Sequence, residues 1–179
     1  YQNIHNDFIE KCKMGDTKAQ FKIYELYYKA MYNVSYRIVN DTMEAEEIMQ
    51  DAFLKAFDKL DTFSGTVSFG AWLKKIVINK SLDALKKRKV DFQSIDNQEV
   101  EIAEKSETNG DTNGNTQRKA NEIKKAIMKL PAHYRTVVSL YLIEGYDHDE
   151  ISEILGIPNS TSRSQLTRAK QRLKKLLNL

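Results

Sequence analysis

Apolar residues recur along this chain every three to four positions, the spacing of a helix that buries one face. Asp16 is suited to cap a helix N-terminus. Behind it, the stripe Phe21, Tyr24, Tyr27, Tyr28, Met31, Val34 and Ile38 predicts one long helix running to about Asn40. Asn40-Asp41 breaks the pattern. Asp41 with Glu44 has the form of a capping box. Ala45, Ile48/Met49, Ala52/Phe53, Ala56/Phe57 and Leu60 then predict a second helix. A loop over Asp61 to Val67, holding Ser64-Gly65, leads to a third helix from near Ser68. Its apolar positions are Phe69, Trp72, Leu73, Ile76, Val77 and Leu85, and the run Lys86-Lys87-Arg88-Lys89 follows them.

The pattern resumes near Gln117 with a helix to Leu130. Pro131 suits the opening turn of the next helix, whose apolar positions are Tyr134, Val137, Val138, Tyr141 and Leu142. Gly145 is a natural C-cap. Asp147 and Glu150 form a second capping pair, and Ile151, Ile154 and Leu155 fill a two-turn helix. Gly156-Ile157-Pro158 is a tight turn. Asn159 or Ser160 is then expected to cap a final helix with Leu166, Ala169, Leu173, Leu176 and Leu177 on its apolar face.

Between the two helical stretches, residues 96–114 carry six acids (Asp96, Glu99, Glu101, Glu104, Glu107, Asp111) and one base, Lys105. Apolar surface there is too scarce to offset the entropy of ordering the chain. The expected fold class is all-α: two small helical domains, 1–93 and 118–179, joined by a flexible acidic linker at 94–117, the C-terminal domain a helix-turn-helix. Composition agrees, because 2 Pro and 7 Gly among 179 residues are few for an all-β chain.

Charge changes the picture by distribution, not total. The net charge is only +3, from 28 basic and 25 acidic residues. From Asn159 to the end, however, there are six bases and no acid. A short helix, a tight turn and a strongly basic helix make the arrangement that lays its second helix in a major groove of duplex DNA. Ser160, Thr161, Arg163, Ser164 and Gln165 occupy the first turns, where Arg and Gln suit bidentate base contacts and Ser and Thr suit phosphates or bases. The alternative is a solvated basic face on a packing helix. A second basic patch combines Lys80, Lys86, Lys87 and Arg88 with Lys74 and Lys75. Beside it stand Asn79, Trp72 and Phe63, residue types that bond to and stack on unpaired bases. The alternative there is a helix C-terminus whose cations suit its dipole, with Trp72 in the core. The polar face of the second helix, with Glu46, Glu47, Gln50, Asp51 and Asp58, is either a solvated face or a protein docking surface, since acids repel DNA.

Other classes find little support. Cys12 is the sole cysteine, so neither a disulfide within the chain nor a cysteine zinc site is expected. His5, His133 and His148 show no ligand spacing. No nucleophile pattern or phosphate-binding glycine loop occurs. The expectation is a cytoplasmic, non-enzymatic chain with no metal, no cofactor and no membrane insertion. It opens on Tyr1 rather than Met, as it would if residues preceded it.

These residues resemble a known family. The stretch DTMEAEEIMQDAFLKAF (41–57) looks like the second conserved region of bacterial RNA polymerase sigma factors, and FGAWLKKIVINKSLD (69–83) like the promoter-opening helix after it. Leu130-Pro131, then Tyr146 to Leu173 with Glu150-Ile151, Leu155-Gly156, Thr161 and Arg168-Ala169, resembles the fourth region. Nothing stands between them that could be an intermediate domain, which makes the chain similar to the short extracytoplasmic-function (ECF) group. The resemblance implies that Glu47, Gln50, Asp51 and Phe57 dock on the clamp helices of core RNA polymerase's largest subunit. It implies that Phe63 lies in the loop receiving a flipped base and that Asn79 reads a base, both in single-stranded promoter DNA. It assigns Arg163, Ser164 and Arg168 to duplex promoter DNA and implies control by an anti-sigma factor. Ser162 stands where the family usually has Val, and Ser152 where it usually has Ala, so a less tightly packed recognition helix is expected. Gln165 replaces a frequent Arg, and Ser64 a frequent basic residue. The rival reading is a one-component helix-turn-helix regulator that binds an operator alone.

Overall fold

A computed structural model describes residues 5–93 and 115–178, the side chains of 115–117 excepted. The acidic stretch 96–114 lies outside the described residues. Among those described, all regular structure is helical. The chain divides into two compact units, Tyr1–Val90 and Asp91–Leu179, so Asp91, Phe92 and Gln93 group with the second unit rather than the first.

The N-terminal unit holds α1 (Asn6–Lys13), α2 (Thr17–Val39), α3 (Thr42–Asp58) and α4 (Phe69–Lys87), with a 3₁₀ turn at Leu60–Thr62. Each long helix starts on a side-chain cap. Asp16 Oδ1 accepts from the Lys18 and Ala19 N–H groups at 2.8 and 3.2 Å. Asp41 Oδ1 accepts from Glu44 N–H at 2.9 Å, and Ser68 Oγ from Ala71 N–H at 3.2 Å. The Asp41–Glu44 pair differs from a capping box in one respect: the Glu44 carboxylate pairs with Arg88. Asn40 stops α2 in the left-handed region (φ 56°), a conformation Asn tolerates.

Helices α2, α3 and α4 pack pairwise around one core. The buried face of α2 runs through Ala19, Ile23, Met31, Val34, Ser35 and Ile38. Phe21, expected inside, is 62% exposed, while Ile23 is fully buried. The aromatic row Tyr24, Tyr28, Tyr32 forms a second stripe beside the core, and Phe21 follows that one. Small residues let α2 and α4 approach closely. Ser81 Oγ donates to Ser35 Oγ at 3.1 Å, with both residues fully buried. A Cβ added at Gly70 would meet the Tyr27 ring at 3.0 Å.

The C-terminal unit holds α5 (Asn115–Met128), α6 (Ala132–Val138), α7 (His148–Leu155) and α8 (Asn159–Leu176). Helix α8 packs on α5, α6 and α7. The end of α6 widens into a π-helical turn over Ser139–Ile143. That extra residue per turn shifts the phase: Leu140 is fully buried, and Leu142, expected inside, is 51% exposed. Tyr134 anchors the core at 0% exposure, and the Arg172 guanidinium lies 4.9 Å from its ring centroid.

Helix α7 has the capping box its sequence announces. Asp147 Oδ1 accepts from Asp149 and Glu150 N–H groups at 2.9 and 2.8 Å. Glu150 Oε2 accepts from Asp147 N–H at 2.8 Å. Replacing Asp147 by Ala removes two of these bonds and is expected to cost about 1 kcal/mol locally, roughly fivefold faster amide exchange across 148–155. Exchange across 45–56 in the other unit should not change, and native-state hydrogen exchange measures both.

Candidate nucleic-acid interface and docking face

The turn between α7 and α8 is built from three fitted parts. Gly156 ends α7 in the left-handed region (φ 65°), its N–H donating to Ser152 O. Ile157 plugs the core at 4% exposure, and Ser152 Oγ donates to its carbonyl. Pro158 then opens α8, and no side chain caps that helix. The cap expected from Asn159 or Ser160 is therefore absent. Asn159 lies inside the first turn, where its amide donates to Asp149 and accepts from Arg163 Nε at 2.7 Å.

Helix α8 has two distinct faces. Ser162, Gln165, Leu166, Ala169 and Leu173 are buried. Ser160, Arg163, Thr167, Lys170 and Lys174 are exposed, and Thr161, Ser164 and Arg168 are half-buried. The fold thus places Ser160 and Arg163 outward as a DNA contact requires. Gln165 is a correction. At 0% exposure, its amide donates to the Phe92 carbonyl at 2.5 Å, so it has no surface to offer a base. Lys170, absent from the residues expected from sequence, is exposed on the same face, seven residues on from Arg163.

Ser162 does not loosen the packing. It is fully buried and shares a hydrogen bond with His148 Nδ1 at 2.8 Å. The His148 ring stacks on Tyr141 at 4.6 Å between centroids, and Lys170 Nζ lies 5.9 Å from the Tyr141 ring. One column of side chains thereby ties the π turn, α7 and α8 together. Burial pushes the His148 pKa below its ordinary 6.5, and Arg163 and Lys170 push the same way against Asp147 and Asp149.

In the N-terminal unit the second basic patch is only partly free. Asn79, Lys86 and Lys87 are exposed, with Lys86 Nζ 4.0 Å from Asp83 Oδ1 one turn back on α4. Lys80 is paired to Asp51 at 3.3 Å. Arg88 is paired to Glu44 and donates to the Val39 carbonyl at 3.0 Å, which ties the end of α4 to the α2–α3 corner. Arg88 is thus a structural clasp rather than a free DNA contact. Phe63 is a second correction. It is 7% exposed, its ring packed 5.3 Å from Trp72 and 5.6 Å from Phe69 between centroids. Phe63 is therefore a support beneath Trp72, not an open stacking surface. Half-buried Trp72 shares the outward side of α4 with Lys75, Asn79 and Lys86. Its burial signal was legible, but its partly open edge was not.

On α3, Glu47, Gln50 and Asp51 are exposed and Phe57 is half-buried. Two apolar residues missed in the sequence join them: Met43, 76% exposed, and Leu54, 65% exposed. Met43, Glu47, Gln50 and Leu54 fall on one line at helical spacing. Their signal was two apolar residues out of phase with the buried stripe. Beside them a cavity of about 320 Å³ opens between α2 and α3, lined by Tyr24, Tyr28, Tyr32, Met43, Glu46 and Met49 among others. Among the described residues, no three or more His, Cys, Asp and Glu side chains are grouped to hold a metal. No described helix is long and apolar enough to cross a membrane.

Comparison with known proteins places the two units in one context. Residues 23–90 match the family model for sigma-70 region 2, and residues 120–173 match that for sigma-70 region 4. The chain is 33% identical to the ECF RNA polymerase sigma factor SigW of Bacillus subtilis, over 94% of each chain. It is 26% identical to the RNA polymerase sigma-H factor of Pseudomonas aeruginosa, over 98% of this chain and 95% of that one. The sigma factor RpoE, solved with the anti-sigma factor NepR from Bartonella quintana, superposes with a TM-score of 0.58 at 25% identity, over 88% of this chain and 96% of that one.

The His148 joint carries a pH dependence. Below 6.5 the unfolded chain binds a proton at this imidazole that the folded unit resists. Stability of the C-terminal unit is therefore flat above about pH 6.5 with respect to this group, and falls as pH drops from there toward the depressed folded pKa. Opening free energies of α7 and α8 amides, measured from pH 8 to 5, should show that fall. In the His148→Asn variant that fall should be shallower.

Proposed function

The chain belongs to the sigma-70 family, in its extracytoplasmic-function group, and we propose that its two units divide the work of promoter recognition between them. It is an RNA polymerase sigma factor that binds core polymerase, recognises promoter DNA and initiates transcription. The observation that carries this reading is the coincidence of the region 2 match with the first unit and the region 4 match with the second. No sensing or dimerising domain takes the place of region 2, so the one-component regulator is not favoured.

In this division, α3 presents the core-polymerase docking face. Glu47, Gln50 and Asp51 supply polar and acidic groups, Phe57 flanks them, and Met43 and Leu54 add apolar area. Exposed apolar residues rimmed by charge are what a protein partner buries. The outward side of α4 is the surface for melted promoter DNA. Asn79 bonds a base, Trp72 offers a stacking edge supported by Phe63, and Lys75, Lys86 and Lys87 attract the backbone. Helix α8 lies in a major groove of the upstream duplex element. Arg163 and Ser160 face base edges there, and Thr161, Ser164, Arg168 and Lys170 hold phosphates. Capture of unpaired bases favours the open strand by binding energy, with no bond chemistry of the protein's own. The protein acts in the cytoplasm, where the polymerase works. Control by an anti-sigma factor is proposed by analogy with the related protein solved with NepR.

The defining experiment is run-off transcription from a promoter library with purified core polymerase. Discrete transcripts should require this protein, and a library silent with and without it would refute the reading. Arg163→Ala should weaken the preferred duplex site by about 1–3 kcal/mol through a lost base contact. An equal loss on random-sequence duplex would make it a phosphate contact instead. Glu47→Lys and Leu54→Ala, both at exposed positions, should weaken core-polymerase binding while leaving helicity unchanged, as read by affinity measurement and circular dichroism.

A further inference from the structure

The strongest feature that DNA reading leaves unused is a short segment outside the helices. Asp91, Phe92 and Gln93 group with the C-terminal unit. They form a turn in which Gln93 N–H donates to Asp91 Oδ1 at 2.8 Å. Phe92 is buried at 7% exposure, and its carbonyl accepts from Gln165 Nε2 at 2.5 Å. The Gln93 amide donates to the Gly156 carbonyl at 3.1 Å. The segment thus grips Gly156, where α7 stops, and the inner face of α8 together.

A carboxamide at 0% exposure is costly to bury unless its polar groups are bonded. The Phe92 carbonyl supplies a partner from 73 positions earlier in the chain. A glutamine that only needed to reach DNA would have no reason to point inward at that carbonyl.

We propose that Asp91–Gln93 is a positioning strap of the DNA-reading unit, and that Gln165 is the positioning residue through which the strap sets the recognition helix. This deepens the reading of α8 given above, and its DNA arm rests on that reading. The duplex-reading unit then begins at Asp91, upstream of the acidic stretch, rather than at α5. The orientation of α8 depends on backbone that directly follows the other unit in sequence.

The test uses the full chain with four variants: Gln165→Met, Phe92→Leu, their double combination, and the milder Gln93→Ala. Two quantities are read: amide exchange across 155–166, and affinity for a short random-sequence duplex at low salt. Each single variant should speed exchange across 155–166, about tenfold for Gln165→Met, and leave 45–56 unchanged. Gln165→Met removes the bond to the Phe92 carbonyl, and Phe92→Leu loosens the packing that holds that carbonyl. Each should weaken duplex binding about threefold or more, and the double variant should lose less than the product of the two, because both slacken one strap. Unchanged exchange in Gln165→Met overturns the strap. Losses of affinity that multiply in full in the double variant also overturn it, since they show that residues 92 and 165 act independently rather than through one strap. Should Phe92→Leu not fold, Gln165→Met and Gln93→Ala are combined in its place, with the same expectation. A wild-type chain that binds no duplex under these conditions refutes the reading of α8, and the exchange result still decides the strap.

Discussion

The C-terminal unit depends on how α8 is held, by one face only. A helix that enters a groove must leave its outer side bare, so its orientation comes wholly from the inner side. In this chain that inner side is not simply apolar. Leu166, Ala169 and Leu173 pack conventionally, but Ser162 and Gln165 are polar and fully buried. Each bonds to a different element: Ser162 to His148 at the start of α7, and Gln165 to the carbonyl of Phe92. Apolar contact is tolerant of small rotations. Buried hydrogen bonds are not, because a misaligned bond leaves a desolvated polar group without its partner. The polar inner face therefore fixes the angle of α8 more tightly than a valine and an aliphatic chain would.

The N-terminal unit applies charge differently. Of the basic residues on or just after α4, Lys80 and Arg88 reach sideways to Asp51 and Glu44 of α3. Those pairs stitch α4 to α3. At exposed sites such pairs contribute little stability, up to about 1 kcal/mol each. Their consequence is geometric: they link packed neighbours, so that the exposed surface carries Asn79 and Lys86 on α4 and Glu47, Gln50 and Leu54 on α3. The sign of charge changes across that surface, positive where DNA is expected and negative where it is not.

Sequence reasoning reached what is local. The caps at Asp16, Asp41 and Asp147 were legible because each bond spans two or three residues. The helix-turn-helix was legible because Gly156 and Pro158 punctuate it. What escaped was set by distant partners or by irregular backbone. Leu142 was placed inside because nothing at Ser139 announces a π turn. Phe21 was placed inside because a tyrosine-rich helix offers two plausible stripes. Phe63 and Gln165 have the right chemistry for bases, yet Trp72 and Phe69 cover one and Phe92 claims the other. Ser152 and Ser162, departures from the family's usual residues, read as weakened packing. In the fold they are the two hydroxyls that bond at the α7–α8 turn.

The central claim is a division of labour: one unit reads duplex DNA, and the other holds polymerase and melted strand. Footprinting of the complete complex tests it most directly. With core polymerase and this protein on an active promoter, nuclease protection should cover an upstream duplex block. Permanganate should mark unpaired thymines in a separate downstream block, and neither signal should appear with core polymerase alone. A symmetric protected block formed by the protein without polymerase, and no reactive thymines in any mixture, would contradict the account.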